Sequence, residues 1–180
     1  STTVKCRYMK PVILVTRKLP DAVEERLERD YEPQLNPDDR LYTKNQIIER
    51  SEGADAILPC HTEAMTADVI GRLPDSIRAI ANYSVGFDHV DLEAAKARGI
   101  IVTNTPDVLS DATAELTILL MLGAARRASE GERLVRAGEW KDWSPSFMVG
   151  TQMTGKRLGI IGLGRVGQVT AMRARGFNME

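Results

Sequence analysis

The sequence predicts an α/β fold in which a parallel sheet is followed by a helical stretch and then by the opening of a second α/β unit. Three observations carry the prediction. Between Pro11 and Thr105, short β-branched and apolar runs alternate with capped segments of helical periodicity, the order expected of a parallel sheet covered by helices on both faces. From Pro106 to Trp140 no strand pattern occurs. At Arg157–Gly167 an apolar run leads directly into the pattern G-x-G-x-x-G.

"PVILVT" (Pro11–Thr16) reads as the first strand, and "LPDAVEERLERDYE" after it places Ala22, Val23, Leu27 and Tyr31 at helical spacing. "TKNQIIERSEG" reads as a helix with Thr43 as N-cap, Gln46 completing a capping box and Gly53 as the stop. "ADAILPC" reads as the second strand, "TADVIGRL" from Thr66 as a short capped helix, and "SIRAIANYS" (Ser76–Ser84) as the third strand. A helix from Asp91 to Gly99 and a fourth strand in "IIVTNT" complete this part.

The next stretch, "PDVLSDATAELTILLMLGAARRASEGERLVRAGEW", predicts one or two long helices starting near Ser110, with a domain boundary before them near Thr103. Trp140–Gln152, holding Pro145 and two tryptophans, reads as an ordered loop. Arg157–Ile161 then reads as a buried strand, and Gln168–Arg175 as a helix closed by Gly176. The three glycines between them match a dinucleotide-binding turn. Gly162 would make the tight turn, Gly164 would let the backbone approach a pyrophosphate, and Gly167 would let helix and strand pack closely. The N–H groups of Leu163, Gly164, Arg165 and Val166 would face the phosphates, aided by the helix dipole. The Arg165 side chain is either a solvated helix-start residue or a phosphate contact.

Composition narrows the function classes. The 180 residues carry 24 basic and 25 acidic side chains and are 43% hydrophobic. Such a balance gives no electrostatic reason to expect nucleic acid or an anionic membrane as partner, and favours small-molecule chemistry. The longest apolar stretch, Leu116–Ala125, is shorter than the roughly 18 residues of a membrane span. Cys6 and Cys60 sit in no metal-type spacing and are expected to be reduced thiols; with no cleavage pattern near the start, this points to a cytoplasmic protein. Residues before Met9 are expected to extend outside the fold. No Ser-His-Asp or metal-ligand constellation is apparent. His89, between Asp88 and Asp91, reads as a solvated or locally bonded imidazole, and His61 has no visible carboxylate partner.

Taken together, "NYSVGFDHVDLEAAKARGIIVTNTPDVLSDATAELTILLMLGAARR" and "LGIIGLGRVGQ" resemble the D-isomer-specific 2-hydroxyacid dehydrogenase family, in its glyoxylate/hydroxypyruvate reductase branch. The resemblance runs from Pro11 to Glu180. It implies a flavodoxin-like substrate domain over 10–103 and the start of a Rossmann coenzyme domain, with a dimerisation helix and arm, over 104–180. It further implies that the backbone N–H groups of Val85 and Gly86 hold the substrate carboxylate. A strand-to-helix turn with Gly86 at positive φ is the alternative reading of the residues alone.

By the same resemblance, Thr113 faces the nicotinamide side of NADP or NAD, and Trp143 reaches toward a partner subunit's active site in a homodimer built through Ser110–Trp143. The stripe Leu116, Leu119, Leu120 and Gly123 is expected to pack rather than to form a site. The loop Pro59–Thr62, with Cys60 and His61, lies on the sheet edge where open α/β folds bind ligands and is a candidate for substrate choice. The implied reaction is hydride transfer between the coenzyme and a small 2-oxo acid such as glyoxylate or hydroxypyruvate. The family's catalytic arginine, glutamate and histidine correspond to positions beyond Glu180. The chain is therefore expected to be the N-terminal portion of a longer enzyme, catalytically silent by itself. Two rival readings are a non-enzymatic dinucleotide-binding corepressor and a truncated dimerisation fragment.

Overall fold

The computed structural model describes residues 9–180, so Cys6 and the expected extension before Met9 lie outside the described residues. Two compact units divide at Pro106/Asp107.

In the first unit, five parallel strands run in the order β2-β1-β3-β4-β5: β1 Val12–Val15, β2 Glu32–Gln34, β3 Ala56–Leu58, β4 Ala79–Ala81 and β5 Ile101–Thr103. This is the flavodoxin-like order, with its switch point between β1 and β3. Strand alternation sorts the core. Leu14, Ile57 and Ile80 point to one face, where they pack with Ile47, Val69, Ile70 and Ala95 of helices α2 (Lys44–Arg50), α3 (Ala67–Arg72) and α4 (Leu92–Ala97). Ile13 and Val15 point to the other, under Leu27 of α1 (Asp21–Asp30). Because β1 is buried on both faces, its sequence is a continuous apolar run rather than an alternating one. Burying a side chain such as Ile57 is worth about 1.5–3 kcal/mol.

The caps follow the sequence. Thr43 and Gln46 form a reciprocal capping box, and Thr66 and Asp91 each accept an N–H from the first turn of their helices. Gly53 and Gly99 end α2 and α4 with positive φ.

Several expectations are corrected. The sheet has a fifth strand, β2, whose three residues include Pro33; an edge position tolerates a residue with no N–H to give. Tyr31 leaves the helical face of α1 and is its extended C-cap, and Ala22 is exposed, so Val23, Glu24 and Leu27 form the inward face. The third predicted strand narrows to Ala79–Ala81. Among the described residues of the first unit, α1 is the helix that packs on the second face of the sheet, and Ile101 on β5 is 65% exposed.

In the second unit, α5 (Ser110–Ala125) and α6 (Ala128–Arg136) are separate helices broken at Arg127, which takes left-handed φ. A turn-containing loop leads to α7 (Arg165–Arg175), which packs on α5. Arg173 of α7 pairs with Asp111 at 2.8 Å.

Arg157–Ile161 is not a strand, and Ile161 is fully exposed. A parallel strand needs neighbours to satisfy its N–H and C=O groups, and among the described residues the ladder-like bonds here are Glu180 N–H to Lys156 O at 3.0 Å and Leu158 N–H to Glu180 O at 2.7 Å. Gly176 closes α7 with right-handed φ, and Asn178 takes the left-handed position instead. Leu116, Leu119 and Leu120 are exposed on α5 rather than packed within the chain.

Candidate functional site

In the first unit, the loops that follow β1, β3, β4 and β5 gather at the carboxyl edge of the sheet, where α/β folds bind ligands. After β3, Glu63 folds its buried carboxylate back under the loop. It accepts Thr16 Oγ1 and the Cys60 N–H, each at 2.8 Å on Oε2, and Thr62 Oγ1 at 2.7 Å on Oε1. Three donors satisfy a carboxylate that is only 2% exposed. Burial, then Glu63, pushes the Cys60 thiol up, so the thiol stays protonated at neutral pH. Arg17 joins this loop to the one after β2, donating to Thr62 Oγ1 at 2.8 Å and forking onto Asp39 at 2.7 and 2.9 Å.

After β4 the chain turns through Asn82–Asp91. Asn82, buried at the strand end, donates from Nδ2 to Gly86 O at 2.9 Å, while its Oδ1 lies 2.9 Å from His89 Nε2. Gly86 O can only accept, which fixes the Asn82 amide; Oδ1 must then receive a proton from His89 Nε2. Burial, then His61, pushes His89 below its ordinary value, so the imidazole is neutral at pH 7 with its proton on Nε2. His89 is thus locally bonded. Gly86 does not take positive φ, which removes the left-handed turn as the reason for a glycine there.

Val85 and Gly86 sit at this edge, and neither N–H donates to an acceptor among the described residues. Their carbonyls are both taken, Val85 O by Asn104 Nδ2 at 2.8 Å and Gly86 O by Asn82. Sequence reasoning missed Asn82, Asn104 and Glu63. A polar residue directly after the apolar Ala79–Ala81 was the available signal for Asn82.

In the second unit, Gly162 has φ +88, a conformation suited to glycine. A Cβ on Gly167 would lie 2.3 Å from Gly162 O, whereas one on Gly164 would meet nothing within 4 Å. Gly164 is the N-cap of α7 and, lacking a side chain, cannot cap it, so the N–H groups of Arg165, Val166 and Gly167 remain open. The turn can therefore accept a phosphate at a helix N-terminus, and Leu163 lies exposed at its mouth. Arg165 forms an ion pair with Asp107, a partner that a phosphate would have to displace. Thr113 is exposed in the first turn of α5; its carbonyl accepts Thr117 Oγ1 at 2.8 Å. Trp143 is 74% exposed beside Trp140 and Phe147. Among the described residues no group of three metal-ligating side chains occurs, and no helix is long and apolar enough to cross a membrane.

The chain is similar to several dehydrogenases and reductases. Glycerate dehydrogenase of Hyphomicrobium methylovorum is 44% identical over 171 residues, 95% of this chain and 53% of that protein. Glyoxylate reductase of Pyrococcus horikoshii is 42% identical over 176 residues, 96% of this chain and 52% of that protein. Among solved structures, a Polaromonas sp. JS6 66 protein assigned as an NAD-binding D-isomer specific 2-hydroxyacid dehydrogenase superposes with a TM-score of 0.87 at 43% identity, over 95% of this chain and 53% of that one. The chain spans about half the length of the curated relatives it matches. Residues 13–176 match the model of the D-isomer specific 2-hydroxyacid dehydrogenase catalytic domain, and the chain belongs to that family.

Proposed function

We propose that this chain supplies the carboxylate-binding and pyrophosphate-binding parts of an NAD(P)-dependent reductase acting on a small 2-oxo acid, glyoxylate or hydroxypyruvate. The observation that carries the reading is the pair of undonated N–H groups at Val85 and Gly86 on the carboxyl edge of the sheet. The names of its relatives, glyoxylate reductase and glycerate dehydrogenase, support the substrate class.

In this reading 10–103 is the substrate domain and 104–180 opens the coenzyme domain. The coenzyme supplies the hydride. Val85 and Gly86 hold the substrate carboxylate, and Gly162, Leu163, Gly164, Arg165, Val166 and Gly167 cradle the pyrophosphate. Thr113 lies on the nicotinamide side. The exposed row of Leu116, Leu119 and Leu120 with Trp143 supports a homodimer through Ser110–Trp143. His89 is committed to Asn82 and His61 stands exposed on its loop, so neither is assigned the proton transfer, and the 180-residue chain by itself is expected to be inactive.

The test is the glyoxylate- and hydroxypyruvate-dependent loss of nicotinamide absorbance with NADPH and NADH, for the intact enzyme and for the 180-residue chain. Turnover by the intact enzyme alone is expected. An intact protein that binds coenzyme but reduces neither acid would overturn the reductase reading.

A further inference from the structure

The loop after β4 is held by its carbonyls. Ser84 O accepts the Thr105 N–H at 3.0 Å, Val85 O accepts Asn104 Nδ2 at 2.8 Å, and Gly86 O accepts Asn82 Nδ2 at 2.9 Å. In a trans peptide the N–H of the next residue points opposite to the carbonyl, so each anchored oxygen also aims one N–H. Anchoring Ser84 O aims the Val85 N–H, anchoring Val85 O aims the Gly86 N–H, and anchoring Gly86 O aims the Phe87 N–H. None of these three N–H groups donates to an acceptor among the described residues.

One of the three anchors is backbone and two are asparagine side chains. Asn104 follows β5 and is half-buried, and Asn82 follows β4 and is buried, its Oδ1 held by the His89 Nε2–H. Both reach the loop from strand ends that the sheet holds in register, β4 pairing with β5 through Ala81 and Thr103.

We infer that Asn104 and Asn82 are positioning residues for a carboxylate subsite: by donating to the carbonyls of Val85 and Gly86 they aim the Gly86 and Phe87 N–H groups at the ligand, Phe87 being a donor beyond the Val85–Gly86 pair. The inference rests on the reading of Val85 and Gly86 as carboxylate donors. A side-chain amide suits the task because it donates without charge, so it adds no attraction of its own for the anion and leaves selection to the aimed backbone dipoles. An aspartate in either place has the same shape but at neutral pH cannot donate, and would turn a carboxylate toward a carbonyl.

The experiment titrates oxalate, a small dicarboxylate unable to accept hydride, into the ¹⁵N-labelled chain and follows the amide resonances of Val85, Gly86 and Phe87. In the wild-type chain all three are expected to shift along one saturable isotherm. Asn104→Ala is expected to weaken that isotherm by about fivefold, the equivalent of one ordinary hydrogen bond, and Asn104→Asp by at least as much, since its negative charge also repels the dianion. Asn82→Asp is expected to do the same, and Asn104, being only half-buried, gives the variant that keeps the fold. The melting temperature of each variant is measured in parallel, and the Asn104 variants are expected to melt with the wild type.

An Asn104→Asp chain that binds oxalate as the wild type does would overturn the positioning role while leaving the carboxylate subsite in place. An unshifted Phe87 amide beside shifted Val85 and Gly86 would overturn the third donor. A wild-type chain in which none of the three amides responds would overturn the carboxylate reading and the inference together.

Discussion

Val12–Val15 and Arg157–Ile161 are similar stretches with different fates. Each is a short apolar run that precedes a turn and a helix. The first becomes a central strand, buried on both faces, because Glu32–Gln34 and Ala56–Leu58 lie in register on either side. The second has no sheet pairing among the described residues apart from the Leu158 N–H to Glu180 O bond, and leaves Ile161 in solvent. The difference teaches that an apolar, β-prone run is a capacity for strand formation, realised only where neighbours accept its backbone bonds. Helices make their bonds internally, which is why α7 forms beside an unformed strand while β1 depends on its whole sheet.

The sharpest way to break this comparison is to truncate one isoleucine in each region. Ile57 is fully buried between β1 and β4, so Ile57→Ala should cost about 2–5 kcal/mol through lost transfer and a residual cavity. Ile161→Ala removes a side chain already in water and should change stability by less than about 0.5 kcal/mol. Urea unfolding of both variants checks the pair. Equal losses would mean that Arg157–Ile161 is buried in solution, and that the contrast between the regions does not hold there.

A smaller effect is expected within the glycine turn, where Gly167 and Gly164 differ in what a methyl group would strike. Gly167→Ala drives a Cβ into Gly162 O and should cost about 1–3 kcal/mol of local stability as the turn shifts. Gly164→Ala meets open space and should leave the melting temperature unchanged. Coenzyme affinity separates structure from binding: both substitutions should weaken it, Gly167→Ala by deforming the cradle and Gly164→Ala by filling the space that a pyrophosphate would enter. A Gly164→Ala protein that binds NADPH and NADH undiminished would remove Gly164 from the site.

How far this was legible in the sequence follows from where each signal lives. Thr43 with Gln46, Thr66 and Asp91 act within one helical turn, so their caps could be read from spacing alone. The positive φ of Gly162 and the tight approach of Gly167 belong to the same local class. β2 was missed because its three residues, one of them proline, carry no apolar pattern and are recruited by pairing with β1. The strand read at Arg157–Ile161 fails for the converse reason, the pattern being present and the partner absent. Asn82, Asn104 and Glu63 bond across gaps in sequence that only the folded sheet closes, and an asparagine or glutamate at a strand end looks like any loop residue until that closure.

The smallest effect expected is electrostatic and belongs to the first unit. Arg17 and the Lys18 N–H hold the Asp39 carboxyl down at about 2, against an ordinary value near 3.8. A carboxyl group with a depressed folded-state value stabilises fully above its unfolded value, and that contribution is lost as pH falls through the folded one. The window is therefore about pH 4 down to about pH 2. Asp39 and Arg17 are both partly solvent-exposed, so screening keeps the effect small and 1 M salt should reduce it further. Asp39→Asn should flatten the acid limb of the stability profile in that window and leave the neutral limb with a small, constant loss. An Asp39→Asn protein whose acid limb falls as steeply as the wild type's would show that Arg17 and the Lys18 N–H do not hold this carboxyl in its charged form.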